Sequence, residues 1–407
     1  MNKKLLYLSL SAVMSLCACS DDNNKTVIDD IDAKELALQG VVVDYVNNSV
    51  VPTYRGLADA SMRLADICDE MCNIGVNNLT DEKIQEACNA WIEARRYWEL
   101  SEAWLYGAAA DYDIDPHIDT WPLDKAAMES LLNNPGQMAQ MSDRESAGEY
   151  VGTSLGQGLL GFHAIEYLIF EPANSTTATT RPRPVSRYTQ NELYYLAAVA
   201  DDLRNCCLRL EASWADPGTV DADKLQILDD AELSYAANYG AYMKNAGQAG
   251  SIYVNYTEAL QEILVGAQDI VDEVGNQKIG RPCGSGITAD PDYIESPYAL
   301  NSITDFIDNL YSVRTAYAGY TPIAGVNEQY IKPSTHTISG YVRTVDPELD
   351  SRVLATIDNA IAAISLMREP FASTSQDASF RDINFAAVEA CNDVVDVFDE
   401  VIDLICK

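Results

Sequence analysis

Residues 55 to 72 read Arg-Gly-Leu-Ala-Asp-Ala-Ser-Met-Arg-Leu-Ala-Asp-Ile-Cys-Asp-Glu-Met-Cys, and this stretch decides the fold class. Leu57, Ala60, Leu64, Ile67 and Met71 recur in steps of three and four, with Asp59, Asp66, Asp69 and Glu70 between them. That spacing gathers the apolar groups on one face of an α-helix, whereas a strand would alternate them residue by residue. The same pattern predicts helices over Asp81–Ala110, Leu123–Leu132, Glu149–Phe170, Asn191–Trp214 and Ala222–Met243. It continues over Tyr253–Val274, Ser302–Tyr317, Pro347–Met367 and Ala378–Ile405. Helix starts are marked as well, for instance by Thr80 before Asp81-Glu82-Lys83. Strand alternation is nearly absent, so the chain reads as all-α. Each apolar stripe needs another helix to cover it.

The interruptions divide the chain. Asn174 to Ser186 is rich in Ser, Thr, Pro and Arg and reads as a loop between helices. Ala215-Asp216-Pro217-Gly218 follows one long helical pattern and precedes another, which makes it the expected domain boundary. Two helical domains are therefore expected at 33–215 and 219–407. Lys278 to Ser296 and Tyr320 to Asp346 are expected to be long loops of the kind that carry function or stay disordered.

The first residues read as an export signal. Lys3 and Lys4 precede an apolar run from Leu5 to Leu16, too short for a bilayer core of about 30 Å. Leu16-Cys17-Ala18-Cys19 is similar to a bacterial lipobox, which places a lipid on Cys19 and makes 1–18 a lipoprotein signal peptide. Residues 19–32 then read as a polar tether. The expected location is the cell envelope, anchored by lipid, on the periplasmic or surface face of the outer membrane. Past residue 18 the chain carries 25 basic against 62 acidic side chains, so nucleic acid and anionic lipid surfaces are poor partners and cations or basic partners are favoured. The eight remaining cysteines permit disulfides, but 105 pairings are open. Cys68 and Cys72 read as core packing.

The chemistry concentrates in residues 158 to 170, Gly-Leu-Leu-Gly-Phe-His-Ala-Ile-Glu-Tyr-Leu-Ile-Phe. This stretch is apolar around two ionisable residues, His163 and Glu166, three apart and so on one helix face. They can meet one bound atom, or each other as a buried pair locking two helices. Gly158 and Gly161 leave room for a close neighbour. With only His117, His163 and His336 in the chain, a zinc protease set of three protein ligands and a base is hard to assemble. His117 sits in an acidic turn, Asp113 to Asp119, that could approach the same pocket. No Gly-x-Ser-x-Gly elbow or phosphate loop precedes a helix.

Gly161-Phe-His-Ala-Ile-Glu166 resembles the Gly-x-His-x-x-Glu motif of the imelysin family. Three further blocks stand in that family's order: Trp91 with Ala94-Arg95, Tyr97 and Ser101-Glu102; Ile118-Asp-Thr-Trp-Pro-Leu-Asp124; and Glu295-Ser-Pro-Tyr298 with Asn301-Ser-Ile-Thr-Asp-Phe306 and Asn309. The resemblance implies two packed four-helix-bundle-like domains with a pocket near their junction, in envelope proteins linked to iron uptake. It departs at Ala299, Glu295 and Ile303, where the family's better-known members carry a serine and histidines.

Three functions follow as expectations. The first is a non-catalytic binding protein for a metal ion, iron or zinc, or a small ligand at the domain interface, working with envelope iron-uptake partners. His163 and Glu166 would be central, Asp119, Glu102 and Asp305 would help, and Arg95, Trp121 and Ser302 would support them. Imidazole with carboxylates suits those metals. The second is a metallopeptidase-like hydrolase, and the third a surface scaffold with a vestigial site. The lipobox reading carries its own test: Cys19→Ser should release the protein from membranes of its native host, and unchanged membrane fractionation would sink it.

Overall fold

A stripe of small and branched apolar residues is stable in water only when another stripe covers it. In a computed structural model, which describes residues 23–171, 182–235, 238–320, 323, 326 and 332–407, with side chains from residue 33, every helical stripe finds such a cover. Helix α1 (Asn23–Tyr45) leads through a π-helical turn into α2 (Val51–Ile74), which buries Leu57, Ala60, Leu64, Ile67 and Met71. Helix α3 (Asp81–Glu99) starts where expected, with the Thr80 hydroxyl accepting from the Lys83 N–H at 3.3 Å. Short α4 (Ala147–Ser154) and α5 (Gly161–Ile169) precede the long α6 (Gln190–Trp214). Helix α2 packs on α3 and α6, and α5 packs on the same two, closing the first bundle.

The second bundle is a ring. Helix α7 (Ala222–Asp230) and α8 (Tyr239–Lys244) come before it in the chain. The ring itself is α9 (Tyr256–Asp272), α10 (Ser302–Ala318), α12 (Pro347–Ser365) and α13 (Arg381–Cys406), each packed on the next, with the short α11 (Ile338–Val345) between α10 and α12 in the chain. The bundles meet where α3 packs on α10 and the tight turn Glu102–Trp104 packs on α9 and α10. One continuous apolar cluster runs through both. The all-α expectation holds: among the described residues the single β-type feature is an isolated bridge between Phe170 and Pro182.

Several expected boundaries shift, each for a local reason. The predicted helix Asp81–Ala110 stops at Glu99, where the Ser101 hydroxyl donates to the Trp98 carbonyl at 2.7 Å and the chain turns. Glu149–Phe170 is two helices, α4 and α5, and Ala222–Met243 is likewise two, α7 and α8. The chain is helical from Asn23, inside the stretch read as a tether. The Pro217-Gly218 turn does not separate the two bundles, because Leu228 of α7 is buried against Ala58 of α2 and Leu208 of α6. The chain crosses to the second bundle after α8. The expected loop from Lys278 begins in a π-helical turn, Glu273–Ile279, that buries Lys278, and the loop to Asp346 contains α11. The signal peptide, Cys19 and most of Asn174–Ser186 lie outside the described residues. All eight described cysteines are free thiols, and Cys68 and Cys72 are core.

Gly161 fixes where the site helix begins. Its φ is +69°, and a Cβ there would overlap the backbone carbonyl of Ile118, next to Asp119. A side chain is therefore excluded twice, by backbone conformation and by space. Gly161→Ala should destabilise the protein by about 2–4 kcal/mol, read from denaturant unfolding. A wild-type midpoint would show that this approach does not constrain the fold.

Candidate functional site

Helix α5 carries two ionisable groups into an apolar core, and burial obliges each to find partners. His163 is 2 % exposed and Glu166 fully buried. His163 Nδ1 lies 3.1 Å from Glu166 Oε2. Glu166 Oε1 accepts the backbone N–H groups of Tyr298 at 2.8 Å and Ala299 at 2.7 Å. The carboxylate thus ties α5 to a turn of the second bundle and fixes the imidazole plane, as orienting carboxylates do behind metal-binding histidines. His163 Nε2 then faces Asp119 Oδ1 at 3.1 Å, but out of line for a hydrogen bond.

Arg95 forms the hub beneath. Fully buried on α3, it contacts Asp119, Glu99 at 2.5 Å, Glu295 at 2.8 Å and Asp305 at 3.6 Å. A second buried cation, Lys278, reaches Glu102 at 2.9 Å, Glu295 at 3.0 Å and Asn309 at 3.1 Å. Trp98 Nε1 donates to Asp119 Oδ2 at 2.8 Å. Glu295 stands in a turn whose residues Ser296 and Leu300 both take positive φ, +48° and +54°, a costly backbone for non-glycine residues. Asp119, His163 and Glu295 each offer one donor atom within 4.8 Å of the others. Two atoms of this triad, His163 Nε2 and Glu295 Oε2, have no hydrogen-bond partner among the described residues. Above them opens a cleft of about 420 Å³, with His163 in its lining beside Trp121, Lys125, Asp292 and Tyr298.

The imelysin family model matches residues 50–398. The chain belongs to the imelysin family. It is 26 % identical over 275 residues to iron-regulated protein A of Synechococcus elongatus, a match spanning 68 % of this chain and 63 % of that protein. It is similar in structure to a Parabacteroides distasonis protein described as an iron-regulated protein A precursor, with a TM-score of 0.72 and 26 % identity over 91 % of this chain and 95 % of that one. An imelysin-like protein from Psychrobacter arcticum shares the fold, with a TM-score of 0.53 and 14 % identity over 91 % of this chain and 93 % of that one.

Within this imelysin the expected site residues separate into distinct positions. His163 and Asp119 converge with Glu295. Of the two arrangements open to Glu166, a shared bound atom or a buried pair with His163, the structure shows the pair, and the second oxygen is spent on two backbone amides. Asp305 accepts from Ser296 Oγ and Asn301 Nδ2, each at 2.5 Å, and acts as a counter-ion to Arg95. Glu102 serves Lys278. Ser302 donates to the Glu295 carbonyl and so holds that turn. The Trp121 ring stands 6.2 Å from the His163 ring, on the cleft wall. His117 turns away to Asp202, and His336 pairs with Asp44. Sequence reasoning missed Glu99, Lys278 and Glu295 as site residues. Glu99 carried a readable signal, one turn after Arg95. Lys278 lay in an expected loop and had none.

Charge explains the electrostatics of this imelysin. Six carboxyl groups, of Glu99, Glu102, Asp119, Glu166, Glu295 and Asp305, face three bases, Arg95, Lys278 and His163. Burial pushes Glu99 and Glu102 well above the usual carboxyl range, and Asp305 up to about 7. Burial acts on Asp119 too, but the Arg95 guanidinium overrides it and holds that carboxyl well below its usual value. For His163, burial disfavours the imidazolium, yet Asp119 and Glu166 outweigh it and hold the ring up at about 9. A base raised in the fold adds stability that is complete below its ordinary value of 6.5 and is lost as pH climbs through about 9. The metal-free protein should therefore lose several degrees of thermal midpoint between about pH 7 and 9.5. His163→Asn should flatten that slope, and equal slopes would place the titration elsewhere.

Proposed function

We propose that this imelysin is a lipid-anchored envelope protein that binds a metal ion, iron or zinc, at the floor of the cleft, and that it does not hydrolyse peptides. The observation that carries this reading is the buried triad of Asp119, His163 and Glu295, in which His163 Nε2 and Glu295 Oε2 make no aligned hydrogen bond and carboxyl groups outnumber bases. Such a site can balance its charge in two ways, by protonating Glu99, Glu102 and Asp305 or by accepting a cation.

The residues fit the cation. Two donors of one first-row ion stand about 3 Å apart, and His163 Nε2 lies 3.1 Å from Asp119 Oδ1. One imidazole with carboxylates suits iron and zinc better than a soft ion. Glu166 would fix the imidazole, while Arg95 and Lys278 would hold Asp119 and Glu295 in place. The likeness to two iron-regulated proteins favours iron. The lining of Trp121, Tyr298 and Lys125 leaves space above the ion for a small chelating ligand. Partners in the envelope's iron uptake are part of the same reading.

Hydrolysis is disfavoured by the engagement of the candidate groups. Ser296 and Ser302 donate to Asp305 and to the Glu295 carbonyl, and neither His117 nor His336 reaches His163. Calorimetric titration with ferrous, ferric and zinc ions provides the test. Because a ligating imidazole must lose its proton, affinity should rise by up to about tenfold per pH unit below about 9, with proton release to the buffer. His163→Ala should weaken binding by about tenfold or more. Failure of all three ions to bind would overturn the metal reading. A proteolytic rate lost in both His163→Ala and Glu166→Ala would overturn the non-catalytic one.

A further inference from the structure

The first bundle carries another group of unlike donors, which shares no residue with the triad at the junction. His117 lies on the short helix Ile114–Ile118, while Asp202 and Cys206 lie one turn apart on α6 and so share a face. His117 Nε2 is 2.8 Å from Asp202 Oδ2. One donor atom each from His117, Asp202 and Cys206 falls within 4.8 Å of the others. All three line a cleft of about 210 Å³, to which Glu149 and Arg209 also contribute. His117 and Cys206 are half-buried, so the group is reachable from solvent. Asp202 is buried, and α4 lies close against this stretch of α6 through two glycines one turn apart. A Cβ at Gly152 would overlap the Asp202 carboxylate, and one at Gly148 would crowd Asp201 at 2.9 Å.

We propose that His117, Asp202 and Cys206 form a second metal site that takes a borderline divalent cation such as zinc, with the cleft side left to water or an exogenous ligand. A hydrogen-bonded His–Asp pair alone would need neither the thiol nor the cleft. The distance between His117 and Asp202 equally suits two ligands of one ion, which stand about 3 Å apart. A sulfur donor beside an imidazole selects zinc-like ions over magnesium or calcium, in contrast to the carboxylate-rich triad at the bundle junction. Three protein ligands leave a tetrahedral zinc ion one position for water or an exogenous ligand. Among the described residues the cleft lining holds one cation, Arg209, whose charge acts on Cys206 while its directed contacts are made elsewhere. Its Nε donates to the Ser234 carbonyl at 2.6 Å, and its guanidinium stacks 3.5 Å over the Tyr112 ring. On the donors' own side, Asp113 lies near His117 and adds negative charge.

Cobalt(II) titration of the reduced full chain tests the site, because a thiolate ligand gives a near-ultraviolet charge-transfer band that the sulfur-free triad cannot. The band should saturate by two cobalt per chain in the wild type, by one in His163→Ala, and be displaced by zinc. It should vanish in Cys206→Ser, require at least tenfold more cobalt in His117→Ala, and persist in His163→Ala. Cys206→Ser exchanges a single atom, and circular dichroism reports whether it folds. No band in the wild type, or a band that survives Cys206→Ser, would overturn the proposal.

Discussion

A guanidinium with no exposed surface must be surrounded by acceptors, and Arg95 draws its acceptors from both bundles. Glu99 and Asp119 come from the first, Glu295 and Asp305 from the second. Removing the guanidinium would leave those carboxylates facing one another without their shared counter-ion, which costs more than any one pair contributes. The two bundles can therefore dock in one register, the register that brings these carboxylates to the same cation. Lys278 repeats the arrangement a few ångströms away, joining Glu102 of the first bundle to Glu295 and Asn309 of the second.

That register creates the site. Glu166 reaches across to the amides of Tyr298 and Ala299, so the helix bearing His163 and the turn bearing Glu295 are fixed by one carboxylate. The turn itself is held in left-handed backbone at Ser296 and Leu300, a conformation that persists only when surrounding contacts impose it. Departures from the family's familiar residues gain a physical reading here. Ala299 contributes its backbone amide, which any side chain would leave available. Glu295 supplies a carboxylate shared by Arg95 and Lys278. The imidazole is oriented from one side and left without an aligned hydrogen-bond partner on the other, the feature on which the proposed cation site rests.

Cysteine chemistry follows burial. Burial raises the thiols of Cys68, Cys88 and Cys391 well above their usual value, so these groups behave as small apolar core residues. Burial and the Asp202 charge raise the Cys206 thiol as well, but it differs in its company, because an imidazole and a carboxylate offer donor atoms within 4.8 Å and a cleft opens beside it.

The sequence determined the helices, and it did so through periodicity. Leu57 to Met71 could be covered only as one face of a helix, and the Thr80 start follows from the unpaired amides of a first turn. It also marked His163, Glu166 and Asp119, since ionisable residues inside apolar or motif-like stretches stand out along the chain. Tertiary structure decided how these groups are used. Whether His163 and Glu166 share a bound atom or each other depends on the Tyr298 and Ala299 amides, more than 130 residues away and without local signal. Lys278 became a site cation because Glu102 and Glu295 meet there, a coincidence of three distant segments. His117 pairs with Asp202 on α6 and does not line the cleft that His163 lines. Periodicity is a local property and is written in neighbouring residues. The partner of a buried charge is set by docking, which no short stretch of sequence encodes.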